Sequence, residues 1–221
     1  MGVTVWCVCV GDKYTDEDVL ILQGMVARHL ATDYQFRCLS DRVIAGVDCL
    51  LVDPWPGWWS KLLLFRYATG QNLYLDLDTV VVGDLAPLLS DELSMAKNWA
   101  LSGHGGWQSS VMSWAGDYGD LADAFDLDQL SEPANGNYGY YGDKRLWGDQ
   151  EFITDMMGDA VVPMAGVYSY RYHSQGGPPA DASVVCFHGN PKPGEVGAQW
   201  VKESRSIRTP DCLTRLQAQG L

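Results

Sequence analysis

Short apolar segments rich in β-branched residues alternate with helix-like segments along this chain, and the alternation constrains the fold more than any other feature. Residues 3–10 form a β-prone run that ends at Gly11, and apolar residues recur at helical spacing over residues 16–30. Further strands are predicted at Tyr34–Leu39 and Asp48–Val52. This order predicts an α/β fold whose central sheet is mostly parallel and covered by helices.

The same alternation continues to about residue 163. Helices are predicted at Trp59–Thr69, Gly119–Phe125 and Asp149–Met157, and strands at residues 72–85, Ser109–Trp114 and Ala160–Pro163. Two segments rich in glycine and other turn residues, Ser131–Gly142 and Gln175–Ala182, are predicted to be surface loops that could act as lids. No repeat, linker or charge block divides the chain, so we expect one domain over residues 1–221.

Composition narrows the possible partners and the location. The net charge of −13 disfavours nucleic acid and anionic membranes as partners. No apolar run is long enough to cross a bilayer and no secretion signal is present, so we expect a cytoplasmic protein. The six cysteines lack the spacing of a metal site or a disulfide framework, which favours reduced, mostly buried thiols.

Two aspartates, Asp76 and Asp78, lie within the apolar strand predicted at residues 72–85. In an extended strand, side chains two residues apart point to the same face, so one cation could contact both. A buried carboxylate needs a cationic side chain, a hydrogen-bond network or a metal ion. A metal ion is the interpretation that we favour.

A second group of polar residues follows the apolar run Val184–Phe187. The run is followed directly by His188 and Gly189, and then by Lys192, as expected at the end of a strand. Imidazole and carboxylate ligands together suit a divalent ion such as Mn²⁺, whereas the thiolate of Cys186 would select a softer metal. Lys192 could provide a positive charge for a phosphate group.

Five motifs occur in an order that points to a known family. They are Trp59-Ser60-Lys61-Leu62, Tyr74-Leu75-Asp76-Leu77-Asp78-Thr79, Ser109-Ser110-Val111-Met112, Gly148-Asp149-Gln150-Glu151 and His188-Gly189-Asn190-Pro191-Lys192-Pro193. With them the chain resembles retaining glycosyltransferases of family eight, the relatives of glycogenin and of bacterial lipopolysaccharide galactosyltransferases. The resemblance implies a single GT-A, Rossmann-like domain, with a nucleotide-binding part at about residues 1–85, an acceptor-side part at about 86–195 and a tail at 196–221.

The resemblance also implies a donor, a cofactor and a reaction. A hexose would pass from a UDP-sugar to a hydroxyl acceptor with retention of anomeric configuration, and the enzyme would use Mn²⁺ or Mg²⁺. Asp76, Asp78 and His188 would bind the metal ion. Gly189 and Lys192 would belong to the donor site, with Lys192 in contact with the diphosphate.

The transferred sugar has its own set of residues in this family. By resemblance, Asp149 and Gln150 would hold its hydroxyls near the anomeric carbon, where the acceptor attacks from the same face as the departing phosphate. Lys61 would lie near the donor, and Ser109 and Ser110 would line the sugar pocket.

The base site and the metal site both show departures from the family pattern. Tyr14 resembles the aromatic residue that stacks on uracil and Asp12 could contact the base or ribose, but Gly11 stands where a polar residue is common. The family more often has its histidine at the position of Cys186 and a tryptophan at that of Gly194. His188 and Cys186 therefore both stay open as the third metal ligand.

Two other functions compete with this interpretation. The segment Leu75–Thr79 also fits the motif of haloacid-dehalogenase-like phosphatases, in which Asp76 would be the nucleophile and Asp78 the acid/base, with residues 116–120 as the later acidic motif. An inactive domain that only binds sugar nucleotides is the other alternative.

The acceptor is open to several interpretations. A glycan, a lipid-linked saccharide, a protein side chain and, less favoured, a modified DNA base all offer a hydroxyl; DNA would need the basic tail that carries Lys202, Arg205, Arg208 and Arg215. Trp6 and Trp114 are predicted to be packed inside. The aromatic residues that could form an acceptor platform are Trp58, Trp107, Trp147 and those within Tyr138–Tyr141.

Overall fold

The computed structural model describes residues 2–99, 106–131, 139–142, 144–146 and 148–206. Within these ranges the α-helices are α1 (Asp16–His29), α2 (Leu63–Tyr67), α3 (Gly119–Asp123), α4 (Asp149–Met157) and α5 (Gln199–Ser204). The strands are β1 (Val3–Cys9), β2 (Tyr34–Ser40), β3 (Asp48–Leu51), β4 (Gln71–Leu75), β5 (Thr79–Val81), β6 (Ser94–Lys97), β7 (Trp107–Ala115), β8 (Leu130–Ser131), β9 (Gly139–Tyr141), β10 (Lys144–Leu146), β11 (Val162–Pro163), β12 (Val167–Ser169) and β13 (Val184–Cys186).

The main sheet is seven-stranded, with the order β11-β6-β7-β4-β1-β2-β3. The pairs β3–β2, β2–β1, β1–β4 and β6–β11 are parallel, whereas β7 is antiparallel to both β4 and β6. A mostly parallel sheet was the expectation from the sequence, and it is confirmed. Parallel strands end at a common edge, where ligand sites form in open α/β sheets.

Both faces of the main sheet are covered. Alternate side chains of β1, such as Val5 and Cys7, pack with Leu22 of α1 in one apolar cluster. Trp6 points to the other face and packs in a second cluster that includes Phe65 of α2. Strands buried on both faces read as continuous apolar runs, which explains why residues 3–10 were recognisable.

Several other predictions from the sequence are confirmed. Trp6 and Trp114 are buried, at 2% and 0% exposure. The described cysteines are free thiols, namely Cys7, Cys9, Cys38, Cys49 and Cys186, and Cys212 lies outside the described residues. Among the described residues, no helix has both the length and the apolar character needed to span a bilayer.

Three predicted elements differ from the structure. The helix predicted at Trp59–Thr69 is a 3₁₀ helix over Gly57–Leu62 followed by α2. The strand predicted at residues 72–85 is interrupted by a turn between β4 and β5. In the predicted loop Ser131–Gly142, Gly139–Tyr141 forms β9, which pairs with β8 and β10, and residues 132–138 lie outside the described ranges.

A small three-stranded sheet brings two distant parts of the chain together. Its order is β12-β13-β5, and Cys186 of β13 pairs with Thr79 of β5. The backbone N–H of Phe187 donates to the carbonyl oxygen of Asp78 at 3.0 Å. The segment that begins at His188 therefore starts beside the turn that carries the two aspartates.

Candidate active site

A cavity of about 780 Å³ lies at the carboxyl-terminal ends of β1 and β4. Its walls come from the loop after β1, the 3₁₀ helix at Gly57–Leu62, the turn after β4, strand β7, the start of α4 and the segment after β13. The twelve residues that the sequence singled out all line it: Asp12, Tyr14, Lys61, Asp76, Asp78, Ser109, Ser110, Asp149, Gln150, His188, Gly189 and Lys192. The structure thus brings together residues that are up to 180 positions apart in the chain.

The turn between β4 and β5 replaces the extended strand that we predicted for Asp76 and Asp78. The hydroxyl of Thr79 donates to the carbonyl oxygen of Asp76 at 2.7 Å, and the N–H of Thr79 donates to the same oxygen at 3.1 Å. These bonds close the turn. The two carboxylates reach the same cavity because the chain bends after Leu75, and not because they share one face of an extended strand.

Asp76 and Asp149 share a buried lysine. The Nζ atom of Lys61 lies 3.1 Å from Oδ1 of Asp76 and 3.1 Å from Oδ2 of Asp149, and the lysine side chain is only 7% exposed. Ser109 donates its hydroxyl to Oδ2 of Asp149 at 2.6 Å. Burial opposes the charge of Lys61, but Asp149 and Asp76 outweigh this effect and raise the pKa of Lys61 above its usual range.

Asp78 is held by a different pair of side chains. Its Oδ2 atom accepts hydrogen bonds from the hydroxyl of Tyr14 at 2.9 Å and from Nζ of Lys192 at 2.6 Å. Burial raises the pKa of Tyr14, and the charge of Asp78 adds to this effect, so Tyr14 stays a neutral donor. Each of the two aspartates thus has a lysine partner, Lys61 for Asp76 and Lys192 for Asp78, and the metal ion that we favoured from the sequence stays a prediction.

Lys13 is a cavity residue that the sequence interpretation missed. Its Nζ atom lies 5.1 Å from the ring centroid of Tyr14 and 5.4 Å from that of Trp58. Within the described part of the chain, no ion pair joins Lys13 to a carboxylate. Partial burial of its amine lowers the pKa of Lys13, and the nearby charge of Lys192 lowers it further. Its position in the loop after the first strand was the one available signal.

His188 stacks with two aromatic rings. Trp99 stacks on it with ring centroids 5.4 Å apart, and Tyr172 does so at 5.8 Å. Its Nε2 atom lies 2.6 Å from the hydroxyl oxygen of Ser169. Burial is the main cause that lowers the pKa of His188, so the imidazole is neutral at neutral pH, as a metal ligand must be.

Cys186, the other candidate for the third metal ligand, is placed differently. It is fully buried in β13, and it is not among the residues that line the cavity. Burial raises the pKa of its thiol well above the usual value. An inaccessible thiol with a raised pKa is a poor ligand, so His188 is the better candidate.

The side chains of Asp76, Asp78 and His188 are ligand types that suit a divalent cation, although they do not lie close enough together to form a metal cluster in this structure. Two carboxylates and a neutral imidazole face one cavity, and these are ligand types that Mn²⁺ and Mg²⁺ accept. Among the described residues, no group of three His, Cys, Asp or Glu side chains is close enough together to hold a metal ion. Lys61 and Lys192 contact the carboxylates that such an ion would use.

Among the aromatic residues proposed as an acceptor platform, those that the structure describes fall into two groups. Trp58 lines the cavity and is 50% exposed. Trp107 donates its indole N–H to the carbonyl oxygen of Gly158, and Tyr141 stacks on Phe125; both are partly buried against the second apolar cluster, and neither lines the cavity. Trp147 and Tyr138 lie outside the described residues, as does the side chain of Tyr140.

Comparisons with known proteins identify the fold. No known protein-family profile and no curated protein sequence matches this chain. The galactosyltransferase LgtC, solved with donor and acceptor sugar analogues, matches with a TM-score of 0.63 and 15% identity, over 96% of this chain and 99% of that one. The glycosyltransferase GlyE of Streptococcus pneumoniae matches with a TM-score of 0.65 and 16% identity, over 99% of this chain and 63% of that one.

A third solved glycosyltransferase structure is also similar in fold. The bifunctional glycosyltransferase WbbM matches with a TM-score of 0.61 and 13% identity, over 100% of this chain and 52% of that one. The chain therefore has the fold of these glycosyltransferases, which confirms the GT-A architecture expected from the sequence.

Proposed function

We propose that this protein is a metal-dependent glycosyltransferase that moves a hexose from a UDP-sugar to a hydroxyl acceptor with retention of anomeric configuration. The observation that carries the proposal is the convergence of all twelve predicted site residues on one cavity, at the sheet edge where α/β folds bind ligands. The fold shared with known glycosyltransferases supports it.

The donor's nucleotide would bind on the side of the cavity formed by the loop after β1. Tyr14 offers a ring to the base, and its hydroxyl is already held by Asp78. Lys192 and Lys13 bring two positive charges to the same region. Burial lowers the pKa of Lys13 and the charge of Lys192 lowers it further, and a diphosphate between the two amines would offset their repulsion. We therefore expect Lys13 to contact the diphosphate together with Lys192.

The transferred sugar would lie toward α4. Asp149 is paired with Lys61, and its carboxylate oxygens can accept hydrogen bonds from sugar hydroxyls. Gln150 lies beside it on the cavity wall and can both donate and accept. These two residues would orient the anomeric carbon toward an acceptor that approaches on the face of the departing phosphate.

Asp76, Asp78 and His188 would hold the divalent cation, which acts as a Lewis acid and neutralises charge on the departing nucleoside diphosphate when bound. Because that charge is neutralised, the chain needs no side chain that protonates the leaving group. Ser169, which meets Nε2 of His188, would set the orientation of the imidazole ring.

A screen of nucleotide sugars tests the proposal. Purified protein with Mn²⁺ should release UDP from one UDP-hexose, and addition of acceptor pools should increase the release. Asp149→Asn should reduce turnover by about a hundredfold or more with unchanged far-UV circular dichroism. Absence of UDP binding in calorimetry, together with absence of release from every donor, would exclude the proposal.

The same measurements separate the two alternatives. A phosphatase would hydrolyse simple phosphate esters without any sugar nucleotide. Its second acidic motif would need Asp117 or Asp120 in the cavity, but neither is among the lining residues, and Asp117 accepts a hydrogen bond from the N–H of Gly119. A domain that only binds would take up UDP tightly and form no product with any acceptor.

A DNA acceptor finds little support in the described part of the tail. Arg205 pairs with Asp18 of α1 at 3.3 Å, and its side chain is only 14% exposed. Arg205 therefore packs against α1 and does not present a basic surface. Arg208 and Arg215 lie outside the described residues.

A further inference from the structure

Trp58 is an exposed aromatic residue held on a rigid support at the cavity wall. It is 50% exposed, whereas the next residue, Trp59, is 5% exposed and stacks on Phe125 with ring centroids 4.7 Å apart. Ser60 and Lys61, which follow in the same 3₁₀ helix, are also buried. The helix is therefore anchored on one side, and it presents Trp58 to the cavity on the other.

Trp58 lies between the proposed nucleotide side of the cavity and the proposed sugar side. On one side the Nζ atom of Lys13 is 5.4 Å from the Trp58 ring, and beyond it stands the ring of Tyr14. On the other side a Cβ atom placed on Gly148 would come within 3.8 Å of the Trp58 side chain, and Gly148 directly precedes the pair Asp149–Gln150. Trp58 thus adjoins the end of the cavity where the transferred sugar would lie.

The cavity that Trp58 lines has the chemistry of a carbohydrate site. An indole ring offers a flat apolar surface that fits the C–H face of a pyranose ring, and amide and carboxylate groups recognise hydroxyls. Gln150 and Asp12 line the same cavity, and no side-chain hydrogen bond joins either of them to another described residue. The negative net charge of the protein disfavours an anionic acceptor.

We propose that Trp58 is the stacking surface of an acceptor subsite, and that the acceptor is a neutral saccharide whose pyranose ring lies on the indole. This inference rests on the proposed function. In the transfer, an oxygen–carbon bond forms between the acceptor hydroxyl and the anomeric carbon, and the bond from that carbon to the β-phosphate oxygen breaks. The hydroxyl proton passes to the departing phosphate oxygen, so the products are the extended saccharide and UDP.

The test compares acceptor and donor constants in Trp58 variants. Methyl glycosides of the common hexoses and a set of disaccharides serve as acceptor probes, with the preferred UDP-sugar as donor. Trp58→Ala should raise the acceptor KM about tenfold or more, whereas Trp58→Phe should recover part of the loss because a smaller ring remains. The affinity for UDP, measured by calorimetry, should change by less than about twofold.

Tyr67→Ala provides the matched control. Tyr67 is also an exposed aromatic residue, at 45%, but it does not line the cavity, so its removal should leave the acceptor KM and the UDP affinity unchanged. A loss of UDP affinity as large as the rise in acceptor KM in Trp58→Ala would assign Trp58 to the donor and overturn the inference. So would an unchanged acceptor KM, or transfer to an oligonucleotide and to no saccharide. In these cases the wild-type protein still turns over its donor, which distinguishes them from failure of the proposed function itself.

Discussion

Replacement of Lys61 by methionine should destabilise the folded protein strongly, because Lys61 is the buried cation between two carboxylates. Its Nζ atom is 3.1 Å from both Asp76 and Asp149, and their side chains are only 24% and 5% exposed. Removal of one partner from a buried ion pair costs about 3–5 kcal/mol, since the charge that stays behind is uncompensated. For a chain of this size that corresponds to a decrease in Tm of roughly 6–20 °C.

Thermal unfolding followed by circular dichroism measures this effect directly. Because the pKa of Lys61 is raised, its stabilising charge is complete at neutral pH, and it is lost only as the pH rises through that raised value. The double variant Lys61→Met/Asp149→Asn should recover part of the stability at neutral pH.

Arg66→Met is the matched control, because Arg66 forms a surface ion pair with Asp123. The two side chains are 41% and 65% exposed, and such pairs contribute only about 0–1 kcal/mol. If Lys61→Met lowers Tm no more than Arg66→Met does, the view that Lys61 compensates the buried carboxylates is wrong.

Three further predictions concern the donor site and the backbone. Asp78→Asn should lower metal-dependent release of UDP by more than about a hundredfold with the fold intact, and unchanged release would remove Asp78 from the metal site. Because burial lowers the pKa of Lys13, its amine should lose its proton at a lower pH than an ordinary lysine does, and the affinity for UDP should decrease as this happens. Calorimetry from about pH 7 to about pH 10 measures this decrease, which Lys13→Arg should abolish. Gly83→Ala should cost about 1–3 kcal/mol in urea unfolding, since its Cβ would lie 2.5 Å from the carbonyl oxygen of Ala182, whereas Gly176→Ala, with no atom within 4 Å, should be nearly neutral.

Local signals explain the elements that the sequence predicted well. Helix α4 was predicted at its observed bounds, because Gly148 precedes it and its apolar residues recur at helical spacing. Helix α1 begins after Thr15, whose side chain accepts a hydrogen bond from the N–H of Asp18 in a capping box. Both signals lie within a few residues of the helix, so they can be read without knowledge of the fold.

Pairing between distant segments explains the main error. Residues 72–85 are rich in leucine and valine and therefore resemble one long strand, but β4 pairs with β1 and β7 in the main sheet, whereas β5 pairs with β13 in the small one. The chain must turn at Asp76–Asp78 to pass from one sheet to the other. Nothing within the segment indicates this turn, because the partner strand β13 is about a hundred residues away.

The sequence alone determined the α/β class, the order of most elements and the set of polar residues that share the cavity. Local strand and helix signals were sufficient for the class and the order of elements, whereas most of the cavity residues were identified by the resemblance of their motifs to a known family. Only the tertiary structure decided which charges meet: Lys61 bridges Asp76 and Asp149, Lys192 and Tyr14 hold Asp78, and these contacts depend on distances between side chains from separate elements. The contact between Lys13 and the ring of Trp58 also depends on the tertiary structure, because the two residues belong to separate segments and nothing in either segment predicts the contact.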